Sequence, residues 1–235
     1  MEDSVIIKIE RLTKRFHIGT GEFTALHEIN LTFRKGEFAG LVGPSGSGKT
    51  TLLNIIGTLD YPSDGIVEVI GQSVSDLTNK QSAHLRNYNI GFIFQTYNLL
   101  PVYTVYENVE FALLLQHHTF AERKKAVLEA LDWVGLTDKL NSKPSQLSGG
   151  ECQRVAIARA MVKRPLLVLA DEPSANLDAK NSHNIVQTMK KLNRELNTTF
   201  IFATHDEKVM QYLDRIITLK DGAVENDKLV SNSEI

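Results

Sequence analysis

The residues best equipped for chemistry fall into three short clusters. The first, Gly43-Pro44-Ser45-Gly46-Ser47-Gly48-Lys49-Thr50, fills every position of G-x-x-x-x-G-K-[ST]. Its glycines let bare backbone wrap an anion, so that several N–H groups point inward. A helix that begins near Lys49 and carries Thr51 in its first turn aims its positive end at the same charge. The Lys49 amine suits β- and γ-phosphates, and the Thr50 hydroxyl suits Mg²⁺. From average residue usage, a chance match in a chain this long is roughly a one per cent event. The expected ligand is therefore a nucleoside triphosphate with Mg²⁺.

The second cluster is the apolar run Leu166-Leu167-Val168-Leu169-Ala170, which leads directly into Asp171-Glu172. Two adjacent carboxylates at the end of a buried strand repel one another and are costly unless a cation or water uses them. Asp171 is placed to hold Mg²⁺, and Glu172 to polarise a water for attack on the γ-phosphate. The third cluster is Leu147-Ser148-Gly149-Gly150-Glu151, ahead of a strong helix former, Val155 to Ala160. Ser148 and Glu151 have capping-box spacing. Two glycines in a first turn weaken a helix but open its positive end to an anion. One phosphate cradle already exists on the chain, so a second suggests service to a nucleotide held by another copy.

These clusters need elements to hold them. Val5 to Ile9, Thr24 to Leu26 and Ile29 to Phe33 alternate like antiparallel strands. Phe38 to Val42, Leu166 to Ala170 and Thr199 to Ala203 are apolar runs of the kind buried on both faces of a parallel sheet. Each ends in polar residues, and ligands of open α/β sheets gather at strand carboxyl ends, so the three ends are expected to converge. Thr119-Phe120-Ala121-Glu122 opens a helix with Val127, Leu128, Leu131 and Val134 at helical spacing. Another starts near Ala179 and carries Ile185, Val186, Met189 and Leu192 on one face. The expected plan is one α/β domain over 1–235. Segments 1–89 and 165–225 make the core with its antiparallel part, about 90–164 an inserted helical subdomain without a parallel-strand run, and 226–235 a frayed polar tail.

Composition narrows the function class. A net charge of −2 with 26 basic and 28 acidic residues gives no footprint for nucleic acid. The single cysteine, Cys152, excludes an internal disulfide and suits a reducing compartment. No stretch reaches the ~20 apolar residues of a membrane span, and the acidic Met1-Glu2-Asp3-Ser4 start is unlike a signal peptide. A cytosolic address follows, with docking to a membrane protein left open.

Taken together, the three clusters resemble the ABC-transporter ATPase family, and the resemblance covers nearly the whole chain. It implies a P-loop NTPase fold with a mainly parallel core sheet, an N-terminal antiparallel β subdomain and an inserted α-helical subdomain. Gln95, after Ile90 to Phe94, matches the family's Q-loop, which implies contact with Mg²⁺ or the attacking water and with the membrane partner. Ser174-Ala175-Asn176-Leu177-Asp178 matches the D-loop, His205 the switch histidine, and Phe16 an aromatic that stacks on adenine. Phe23 is the nearby alternative, and Tyr is commoner at that place. Glu151 stands where the signature often has Gln, and Cys152 beside it is unusual. The resemblance implies a head-to-tail homodimer with two ATP molecules at its interface. Lys49, Thr50, Gln95, Asp171, Glu172 and His205 of one copy would then face Ser148, Gly149 and Gly150 of the other.

Within the family the chain is most similar to the lipoprotein-releasing and macrolide-export group, on Leu53 to Asp60, Tyr97 to Pro101 and Asn176 to Asn181. That implies permease subunits with a large extracytoplasmic domain and a peripheral position on the cytoplasmic face of the membrane. The alternative is a non-transporting signalling pair of the cell-division type that controls cell-wall hydrolysis. The apolar stretch Tyr97, Leu99 to Tyr103 is either subdomain core or a groove for a cytosolic helix of the partner.

Overall fold

Alternating apolar residues carry the first part of the chain into two long antiparallel strands, β1 (Val5–Ile18) and β2 (Gly21–Arg34). The computed structural model describes residues 4–19 and 21–230; the acidic start at Met1 to Asp3 and the tail beyond Val230 lie outside them. Thr24 to Leu26 and Ile29 to Phe33, expected as separate strands, are one. The pairing shifts register between Leu12↔Ile29 and Lys14↔Leu26, and Glu28 takes a left-handed φ of 44° there. A bulge absorbs the extra residue without ending the ladder. β4 (Asp64–Val69) and β5 (Gln72–Ser73) complete a four-stranded sheet in the order β2-β1-β4-β5.

The second sheet holds six strands: β3 (Phe38–Val42), β6 (Ile90–Phe94), β7 (Leu167–Asp171), β8 (Thr199–Thr204), β9 (Arg215–Lys220) and β10 (Ala223–Leu229). Their order is β10-β9-β3-β8-β7-β6, parallel apart from β10. The expected convergence is observed, since β3, β8 and β7 are neighbours and end side by side at Val42, Thr204 and Asp171. Both faces are covered, which is why these strands read as unbroken apolar runs. Ala39, Leu41, Leu167, Leu169, Ile201 and Ala203 pack into a core shared with the antiparallel sheet and α1 (Lys49–Ile56). Phe38, Val168, Ala170, Phe200 and Phe202 point the other way, into a core shared with the helices of residues 105–161 and 179–196. There Phe38 lies 4.7 Å from Phe202 and 5.5 Å from Phe200, centroid to centroid.

Ile90–Phe94 corrects the expectation that 90–164 has no parallel-strand run. β6 is the edge strand beside β7, with Ile90 opposite Leu167 and Phe94 opposite Asp171. A five-residue apolar run does not by itself separate strand from helix, and β3, equally short and also carrying a glycine, is marked by the phosphate loop that follows it. Gly91 has a packing reason, because a Cβ there would stand 2.8 Å from the Ala160 carbonyl of the helix lying on it. The helical insertion thus begins after Phe94. It comprises α3 (Val105–Glu110), α4 (Phe120–Trp133) and α5 (Gly149–Met161), while α2 (Asn79–Asn89) precedes β6.

Thr78, Thr104, Thr119 and Ser148 open these four helices with reciprocal capping boxes. In α4, Val127 and Leu131 are fully buried as their spacing predicts, whereas Leu128 is only half-buried and Ala130 takes a core position. α6 (Ala179–Leu196) buries Ile185, Val186, Met189 and Leu192, and α7 (Glu207–Met210) is a single turn. The polar tail begins later than expected, because β10 continues through Asn226 to Leu229. Among the described residues no helix is long and apolar enough to cross a membrane.

Candidate active site

The loop between β3 and α1 is shaped by places that admit only glycine. Gly43 has φ +153°, and a Cβ there would stand 2.1 Å from the Leu219 carbonyl oxygen. Gly48, at φ +97°, would put one 2.7 Å from Leu26 and 2.9 Å from the Ala25 carbonyl. Gly48 is also the N-cap of α1, and no side chain caps it, so the first-turn N–H groups are left for a ligand. Lys49 is buried and donates to the carbonyls of Gly43 (2.7 Å) and Pro44 (2.9 Å), which hold the amine over the loop. The Ser47 hydroxyl is buried without a partner, an orphaned group of the kind that an anionic ligand satisfies.

At the end of β7, Asp171 accepts from the Thr50 hydroxyl at 3.1 and 3.3 Å on its two oxygens. Burial pushes its carboxyl pKa up. The Thr50 hydrogen bond and the nearby Lys49 charge oppose that rise, and Glu172 adds to it. Glu172 follows in a left-handed conformation, φ 45°, its backbone N–H donating to Ala203 on β8 (2.9 Å). One carboxylate oxygen accepts from the Thr204 hydroxyl (3.2 Å), and the other lies 2.6 Å from His205 Nδ1. Glu172 is thus held by both strands at the mouth of the cleft, beside an imidazole whose side chain is 67% exposed.

These groups share one cavity of about 460 Å³. It is lined by Phe16, Phe23, Ala25, Ser45, Gly46, Ser47, Gly48, Lys49, Thr50, Thr51, Gln95, Asp171, Glu172 and His205. Gly43 and Pro44 lie behind it, fixing Lys49. Phe16 and Phe23 are direct partners across the β1–β2 hairpin, both partly exposed, so the choice between them becomes a pair. Ala25 was not predicted; no chemical signal marks an alanine, and only the hairpin register brings it there.

Ser148, Gly149, Gly150, Glu151 and Asp178 do not line the cavity. The Ser148 hydroxyl and the Glu151 carboxylate cap α5 reciprocally, and those bonds hold the Glu151 carboxyl below its usual range. Gly149 is exposed, while a Cβ on Gly150 would meet Asn181 at 2.9 Å. The Asp178 carboxylate caps α6 through the Asn181 N–H (2.8 Å) and side-chain amide (2.9 Å). Asn176 donates to the Gln95 carbonyl at 2.9 Å, and Ser174 to Asp206 at 3.1 Å, which joins the stretch after β7 to its surroundings. Cys152 is a buried small side chain whose thiol pKa is raised by burial.

The residues fit Mg²⁺. A hydroxyl and a carboxylate are hard oxygen donors, and no group of three or more His, Cys, Asp or Glu among the described residues could cage a metal. That is the donor set of an ion held by one carboxylate and completed by phosphate oxygens and water.

The family model described as ABC transporter matches residues 26–175. This chain belongs to the ABC transporter family. It is an ATP-binding, ATP-hydrolysing member of it. Its relatives include an ABC transporter ATP-binding protein, MJ0796, of Methanocaldococcus jannaschii, 44% identical over 95% of this chain and 97% of that one. The lipoprotein-releasing system ATP-binding protein LolD of Bacteroides thetaiotaomicron is 43% identical over 94% of this chain and all of the relative. Among solved structures, dimeric MJ0796 bound to ADP and Pi superposes with a TM-score of 0.87 at 43% identity, covering 95% of this ABC chain and 98% of the other.

Proposed function

We propose that this ABC chain is the ATP-driven motor of a membrane export or lipoprotein-release complex and works as a homodimer that sandwiches two ATP molecules. The observation that carries the dimer is the separation of two phosphate-binding devices on one chain. Lys49, Thr50, Asp171 and Glu172 line a cleft, whereas Ser148 to Gly150 stand outside it. A second copy supplies what the first lacks. The related cassette MJ0796 has been solved as a dimer with ADP and Pi, in keeping with this reading.

The placement of the cleft residues supports a role for each. The loop from Gly43 to Thr51 cradles the phosphates, and Lys49 exchanges its two carbonyl contacts for the β- and γ-phosphates. Thr50, Asp171 and Gln95 would hold Mg²⁺, which supplies charge neutralisation on the phosphates when bound. Phe16, with Phe23 opposite, stacks on adenine. Glu172 accepts the proton of the attacking water, and His205 moves from the Glu172 carboxylate toward the γ-phosphate. Ser148, Gly149, Gly150 and Glu151 of the second copy close over that phosphate, with Asp178 at the seam between copies. ATP favours the closed pair because both halves touch it, and hydrolysis removes that differential affinity.

The partners proposed are integral membrane permeases with a large extracytoplasmic domain, which would place the chain peripherally on the cytoplasmic face of the membrane. LolD relatives at this level of identity favour lipoprotein release over macrolide export as cargo. The stretch after Gln95 divides in two: Leu99 and Leu100 are half-buried, whereas Val102 is 70% and Tyr103 41% exposed. The exposed pair offers the partner an apolar surface.

Steady-state ATPase activity of the purified chain tests the reading. The parent should turn over ATP, and Glu172→Gln should lower kcat by about 10²–10⁴-fold, the range for loss of a general base. Full activity in that variant would remove Glu172 from the mechanism.

A further inference from the structure

Arg159, in the last turn of α5, is not one of the residues that touch the nucleotide cleft. Its guanidinium donates from one nitrogen to the Asn98 carbonyl at 2.6 Å and from another to the Tyr97 carbonyl at 2.7 Å. Two consecutive carbonyls are presented to one fork only because Tyr97 and Asn98 are both left-handed, at φ 60° and 49°. Such a conformation is costly for a side-chain-bearing residue and persists where surroundings over-determine it. Arg159 has no carboxylate partner among the described ion pairs, and burial pushes its pKa down. A half-buried cation whose hydrogen bonds go to backbone carbonyls indicates that the geometry of this loop is what it secures.

The loop so held begins at Gln95 and ends against the glycines of α5. Gln95 lies in the cleft and its carbonyl accepts from Asn176. Two residues on, the Tyr97 hydroxyl is so near Gly149 that an added Cβ would stand 3.0 Å from it. The Tyr97 phenol pKa is raised by burial, so that contact is partly shielded from water. One short segment therefore touches the nucleotide cleft at one end and the exposed phosphate-binding turn at the other. We propose that Arg159 is the positioning residue that clamps the Gln95–Asn98 loop to α5, so that Gln95, on meeting a filled cleft, sets the placement of Ser148 to Gly150 for the second copy. The inference rests on the sandwich reading above and deepens it.

The test uses Arg159→Ala and Arg159→Lys, each alone and combined with Glu172→Gln. Three quantities are compared: the affinity of the monomer for a fluorescent ATP analogue, the ATP-dependent dimerisation of the Glu172→Gln forms, and kcat against KM. The clamp predicts unchanged analogue affinity, dimerisation weakened tenfold or more, and kcat lowered with KM for ATP nearly constant. The lysine variant, able to reach one carbonyl but not both, should recover part of the loss. Unchanged dimerisation and kcat in both variants would overturn the proposal. So would a parallel loss of analogue affinity in both, because that reports general disruption of the fold. If the Glu172→Gln form with Arg159 intact fails to dimerise, the sandwich reading falls first, and the clamp's role with it.

Discussion

At the scale of single residues, the groups of the cleft are held in contacts with one another and with the backbone. Lys49 rests on two carbonyls, Thr50 on Asp171, and His205 on Glu172. Asp171 illustrates the cost. Its pKa is raised by burial, so the folded state favours the protonated acid, and ionisation works against stability once the pH exceeds the ordinary carboxylate value. Asp171→Asn should therefore raise the melting temperature of the nucleotide-free protein at pH 7 while abolishing hydrolysis, and scanning calorimetry beside an ATPase assay checks both. Lys163 gives a second case away from the site. Burial lowers its pKa to about 8, and its amine donates to the Arg86 carbonyl at 2.6 Å. A base with a lowered folded pKa destabilises the fold fully below that value, and the penalty fades as pH rises to the unfolded value of 10.5. Lys163→Met should thus stabilise by up to about 2 kcal/mol at pH 7, after about 1 kcal/mol for the lost hydrogen bond. Melting curves should show the gain vanish near pH 10.

At the scale of elements, what could be read in the sequence depended on whether a pattern had a chemical or steric cause of its own. The Gly43 to Thr50 loop is legible because Gly43 and Gly48 occupy places closed to any side chain. Four α-helices open on capping boxes, and all four carry the spacing in the sequence, although only those at Thr119 and Ser148 are read from it. β6 is hard to read as a sheet strand because a five-residue apolar run carries no period and, unlike β3, no phosphate loop follows it; its identity comes from pairing with β7 across 77 positions, Ile90 to Leu167. The β2 bulge at Glu28 was hidden for the opposite reason: a break in alternation looks like a strand end. Arg159 stayed unread because its targets are backbone carbonyls, which leave no mark in side-chain chemistry. Two substitutions test this scale. Gly43→Ala should disrupt the loop, since its Cβ would meet the Leu219 carbonyl, and nucleotide affinity should fall with it. Thr119→Ala should cost about 1 kcal/mol of stability by removing the cap of α4 without altering ATP affinity.

At the scale of the molecule, the six-stranded sheet gathers Val42, Asp171 and Thr204 at one end, while α5 carries Ser148 to Gly150 outside the cleft those ends create. On the sandwich proposal, the sheet makes half a site and the insertion makes the other half for a neighbour. The exposed Val102 and Tyr103 sit just beyond the loop that Arg159 holds, so a partner seated there would act on the same segment. Tyr103→Asp should abolish recruitment to membranes bearing the permease, measured by co-sedimentation, and leave ATP affinity unchanged. The most direct test of the sandwich is the mass of the Glu172→Gln chain in solution with and without ATP. The account predicts that ATP doubles the mass from the 26.3 kDa of the single chain, and that adding Ser148→Arg keeps it single with ATP still bound. A chain that binds ATP and stays single with Ser148 intact would contradict it.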